Sequence, residues 1–68
     1  MRKVEGRAVL RGDYIFGDED WVRVNAVIDT EVPVRLESGK KIKVPGVELH
    51  CSGFMKVVTA RECVVIRD

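Results

Sequence analysis

From Val32 to Pro45 the chain reads Val-Pro-Val-Arg-Leu-Glu-Ser-Gly-Lys-Lys-Ile-Lys-Val-Pro, and no other stretch restricts the fold as much. Side chains of a strand alternate between its two faces. Val32, Val34, Leu36, Ile42 and Val44 therefore fall on one side of a two-stranded ribbon, and Arg35, Glu37, Lys41 and Lys43 on the other. Glu37-Ser38-Gly39-Lys40 supplies the turn, with Gly39 free to take the positive φ that tight hairpin loops require. A ribbon with one apolar and one cationic side places the protein in the all-β class.

The rest of the chain repeats the two-residue period and shows no helical one. Val4, Gly6, Ala8 and Leu10 alternate with Lys3, Glu5, Arg7, Val9 and Arg11 as a first strand with a basic outer side, ended at Arg11-Gly12-Asp13. Tyr14-Ile15-Phe16 forms a short second strand before the acidic turn Asp18-Glu19-Asp20. In the third, Val22, Val24, Ala26 and Ile28 share a face opposite Trp21, Arg23, Asn25 and Val27, and Asp29-Thr30-Glu31 breaks it before the hairpin. Pro45-Gly46 ends the hairpin. Val47–Cys51, Phe54–Val58 and Cys63–Arg67 follow as further strands, with a single helical or 3₁₀ turn between Thr59 and Cys63. Short strands separated by Gly- and Pro-marked turns predict a small SH3-like or OB-like barrel of about five to seven antiparallel strands, a single domain over residues 1–68.

At 68 residues such a domain buries only about 60% of the surface of its unfolded chain, and a core of this size contributes roughly 3–5 kcal/mol. A disulfide, a metal or a partner chain commonly supplements it. Cys51, Cys63 and His50 do not reproduce the ligand spacing of a structural zinc site, so no metal or other cofactor is expected. No apolar leader opens the chain and no run is long enough to span a bilayer, which predicts a cytoplasmic protein without membrane contact. Both cysteines are then expected as small buried thiols rather than a cystine. Val27-Ile28, Val57-Val58 and Val64-Val65-Ile66 are apolar on both faces of their strands, and a domain with one interior leaves the second face to a partner. Another copy of the chain is the economical partner.

No catalytic constellation emerges. Ile28-Asp29-Thr30 resembles the apolar-Asp-Thr-Gly signature of aspartic proteases, but Glu31 stands where that family needs glycine to present the carboxylate. His50 and Cys51 are strand neighbours and point to opposite faces, so they form no Cys–His pair. The acidic turn matches no cation-loop spacing, and Arg11-Gly12-Asp13 is the integrin-type tripeptide in spelling alone. These residues describe a binding module and not an enzyme.

Net charge is only +1, yet the charges are grouped. If the first strand shares a sheet with the hairpin, Lys3, Arg7, Arg11, Arg35, Lys41 and Lys43 form one outward cationic face able to follow a phosphate backbone without sequence preference. Tyr14 and Trp21, with Phe16 between them, are the candidate stacking platforms for bases. The competing demand is the core, which four aromatics are barely enough to seed. The alternative function is a self-associating structural or adaptor protein, of the kind viral and mobile-element assemblies use, that pairs with copies of itself or with another protein.

Overall fold

The computed structural model describes residues 1–68 as β1 Arg2–Glu5, a 3₁₀ turn Gly6–Ala8, β2 Tyr14–Phe16, β3 Trp21–Arg35, β4 Lys41–Cys51, β5 Phe54–Thr59 and β6 Cys63–Arg67. The strands form one antiparallel sheet in the order β1-β6-β2-β3-β4-β5. No ladder joins the edge strands β1 and β5, so the sheet is open and the expected closure into a barrel is not drawn. The N–H groups of Gly6 and Arg7 instead donate to the carbonyls of Glu62 (2.7 Å) and Ala60 (3.0 Å), tying the 3₁₀ turn to the β5–β6 connection. That tie replaces the second half of the expected first strand. It explains why Val9 is buried and Leu10 exposed, the reverse of a continued alternation. No helix is long and apolar enough to cross a membrane.

The core is small and aliphatic. Val9, Ile15, Val24, Val47, Leu49, Val58, Val64 and Ile66 are buried, with Val4, Val22, Val27 and Cys51 packed against them. No aromatic side chain is among the buried residues, so the four aromatics do not seed the core. Cys63 is exposed and Cys51 half-buried, and both are free thiols; only Cys51 contributes to packing. Burial pushes the Cys51 thiol pKa up.

Two of the breaks expected from the sequence are not breaks. Asp29-Thr30-Glu31 lies inside the 15-residue β3, and Pro45-Gly46 inside the 11-residue β4. Proline is tolerated in β4 because the Pro45 carbonyl accepts from Ala60 N–H (2.9 Å). The backbone of Pro45 thus faces away from β3, where its missing N–H removes no ladder bond. Gly46 is required by space: a Cβ there would collide with Val32 Cγ2 and lie 2.7 Å from the Val58 carbonyl oxygen.

β3 also changes face along its length. A register shift between Val24 and Ala26 leaves Asn25 as an extra residue, and such a bulge resets the alternation. Val22 and Val24 face the core before it, Val27 after it, and Ile28 is turned outward. The expected face of Val22, Val24, Ala26 and Ile28 therefore splits in two.

Between Lys41 and Pro45, β4 has no β5 partner, and there β3 and β4 form a two-stranded arm. Val32 is opposite Val44, Val34 opposite Ile42, and Arg35 opposite Lys41. The segregation expected of the hairpin is therefore present, except that Leu36 lies past the last ladder pair and is 41% exposed. The apolar side of the arm is nevertheless not the core side of the domain. On β4 the core residues Val47 and Leu49 are odd-numbered while Ile42 and Val44 are even, and no bulge separates them. The apolar side switches faces at Pro45-Gly46.

Candidate nucleic-acid interface

Ladder pairing assigns the outer, solvent-facing side of the sheet row by row. Where β6, β2 and β3 lie together, Ile15 pairs with Ile66 on one side and Val22 on the other, and this row faces the core. The residues on either side of Ile15 must then face outward. Tyr14 stands between Arg67 and Arg23, and Phe16 stands opposite Trp21. Side chains directly opposite on antiparallel strands have Cβ atoms about 4.5–5.5 Å apart, so Tyr14 is flanked on both sides by a guanidinium-bearing residue. Continuing the β2–β6 register by one residue brings Phe16 beside Val65, which is paired with Lys3 of β1.

The result is an exposed aromatic platform with cations at its margins. Phe16 and Tyr14 are 52% and 42% exposed, Trp21 is half-buried, and the Phe16 and Trp21 rings meet edge-on with centroids 5.4 Å apart at 85°. The edge-on contact holds both rings upright. It covers one face of one ring and leaves the other ring uncovered by its neighbour. Arg23, Arg67 and Lys3 are exposed, and no salt bridge to any of them forms. Asp18, Glu19 and Asp20 close the opposite end, where Asp20 Oδ1 accepts from Trp21 N–H at 2.7 Å and fixes the turn. The platform is therefore polar along the strands, anionic at the β2–β3 turn and cationic at the Arg23–Arg67 end.

The residues expected to form one basic face are divided among three places. Lys3, Tyr14 and Trp21 belong to the platform, and Arg11 lies on the turn whose Gly12 N–H donates to Val24 O (2.8 Å), beyond its cationic end. Arg7 is on the 3₁₀ turn and bonded to Glu5, Nη2 to Oε1 at 2.8 Å. Arg35, Lys41 and Lys43 are on the arm, separated from β1 by β6, β2 and the body of β3. β1 does share a sheet with the hairpin, but at the opposite side of it. Arg23 and Arg67 were not among the expected site residues. Strand parity gives Arg67 the side opposite Val64 and Ile66, but its neighbour Tyr14 comes from a pairing 53 residues away in sequence (67 − 14), which no local pattern encodes.

Elsewhere on the outer side, His50 Nε2 lies 2.8 Å from Glu48 Oε1, two residues along the same face of β4. Cys51 points the other way, its Sγ 3.9 Å from Leu49 O. No cluster of three or more His, Cys, Asp or Glu residues has the geometry of a metal site. Comparison with known proteins finds no matching family model, no matching curated protein and no matching solved structure.

Proposed function

We propose that this protein is a non-enzymatic module that binds single-stranded nucleic acid, without sequence preference, on the outer side of β6, β2 and β3. The observation that carries the reading is the exposure of Tyr14 and Phe16, beside Trp21, between Arg23, Arg67 and Lys3. A soluble domain with so small a core gains about 1.5–3 kcal/mol by burying one large apolar side chain. Leaving two aromatics in water forgoes that gain, and base stacking, worth about 1–3 kcal/mol per base, recovers it on binding. The platform is used as the sheet faces of small OB-like barrels are used, without requiring that this sheet close.

In this reading Tyr14 and Phe16 each stack on a base, Trp21 supports Phe16, and Arg23, Arg67 and Lys3 neutralise the backbone. Three phosphate contacts give a slope of log affinity against log salt of about −2 for a single strand. A duplex hides its base faces and binds more weakly. Titration of a fluorescent oligothymidylate tests this: Tyr14→Ala and Phe16→Ala should each cut affinity about tenfold, equivalent to roughly 1.4 kcal/mol. Absence of binding at low salt, or binding indifferent to both substitutions, overturns the proposal.

A further inference from the structure

We infer that the arm carries a strand-addition site, and that its occupant is the β3 edge of a second copy of this chain. β5 stops at Thr59, opposite Gly46, while β4 continues to Lys41 with no neighbour on that side. A groove of about 860 Å³ opens at this step, lined among others by Val44, Pro45, Thr59 and Arg61. Since Pro45 directs its carbonyl to Ala60, the odd residues of β4 face the vacant side, and the N–H and C=O groups of Lys43 and Lys41 are presented there unpaired. The same step puts the Lys41 and Lys43 side chains on one face of the arm and Ile42 and Val44 on the other. A strand added here needs acidic residues beside the lysines and apolar or neutral ones beside Ile42 and Val44.

The outer edge of β3 has that pattern. β2 pairs with β3 only through Trp21–Arg23, leaving the edge beyond the bulge without a ladder partner. Leu36 N–H donates to Lys40 O (2.8 Å), so even residues of this part of β3 face β4 and odd ones face outward. Ile28-Asp29-Thr30-Glu31 therefore offers outward backbone groups at Asp29 and Glu31. An antiparallel register that sets Lys43 against Asp29 and Lys41 against Glu31 of the second copy also sets Val44 against Ile28 and Ile42 against Thr30, each on its matching face. It leaves Pro33, which lacks a donor, beyond the paired segment. Lysines on an open edge repel a second basic edge, which disfavours β4 against β4, and admit an acidic one. The contact is heterologous: in a dimer one copy keeps its acidic β3 edge free and the other its basic β4 edge, so the assembly does not stop there.

Sedimentation of the full chain tests the inference. The weight-average mass of the wild type should rise with concentration past that of a dimer and fall as salt rises. Lys41→Glu with Lys43→Glu, and separately Asp29→Lys with Glu31→Lys, should each give a monomer with an unchanged far-UV spectrum, and an equimolar mixture of the two should associate again. A wild type that stays monomeric, as it would if the slot served an acidic strand of another protein, overturns the inference. So does a mixture no larger than its components. Were either double variant unfolded, the salt dependence of the wild type would still decide, since association insensitive to salt contradicts a charge-matched edge.

Discussion

Truncating Leu49 and Ile42 to alanine probes the face switch in β4, because these residues lie on the same strand and differ in which side they occupy. Leu49 is fully buried, and removing its side chain costs about 2–5 kcal/mol through lost transfer energy and the cavity left behind. A domain of 68 residues holds only about 3–5 kcal/mol in total. Leu49→Ala should therefore sit at or below the folding threshold. Ile42 is half-buried on the arm, against Val34 and away from the core. Burying a whole isoleucine side chain is worth about 1.5–3 kcal/mol, and half of that sets the loss for Ile42→Ala near 1 kcal/mol. With a urea dependence of about 1 kcal/mol per molar, the midpoint drops by roughly 1 M for Ile42→Ala and by 2 M or more for Leu49→Ala. Urea titration followed by far-UV circular dichroism reads both. Equal losses would mean that Ile42 shares the core with Leu49, and the argument from ladder parity would be wrong.

Gly46→Ala should cost about 1–3 kcal/mol by overpacking, because the new Cβ meets the Val58 carbonyl oxygen at 2.7 Å, a backbone atom that cannot rotate away; a neutral result in the same urea titration would show that β4 and β5 are not so closely apposed there. Cys63, exposed, should be alkylated before Cys51 under native conditions. The thiolate is the reactive form, so the raised Cys51 pKa moves its reaction to more alkaline pH, and mass spectrometry of a timed reaction that found Cys51 modified first would contradict its placement.

The part of the fold legible in the sequence is the part that local alternation determines. The pairing of Val32, Val34, Ile42 and Val44 and the turn at Gly39, with φ of +88°, follow from parity and from glycine's conformational freedom. So do the short β2 and the last strand β6. The joins were not legible. Asp29-Thr30-Glu31 reads as a polar break because its solvation is local, whereas its place in β3 is fixed by β4 residues Val47 to Pro45 across the ladder. Pro45 reads as a stop until the direction of its missing N–H is known. The bulge at Asn25 carries no distinctive residue, yet it reverses every side chain after it.

The candidate site shows the same division. Tyr14 and Trp21 stood out by type, but demand for an aromatic core argued for their burial. Eight aliphatic residues close that core without them, and this emerges only once β6 and β2 are neighbours. Arg23 follows an acidic turn in the sequence and Arg67 ends the last strand. Their place on either side of Tyr14 depends on strand order.

Trp21 is the only tryptophan in the chain and sits within the proposed platform, so its own emission reports directly on what binds there. Adding unlabelled oligothymidylate at low salt should quench that emission saturably, and added salt should reverse the quench along the same curve that weakens binding. Saturable binding of the oligonucleotide with Trp21 emission unchanged would place the ligand elsewhere on the molecule and contradict the account.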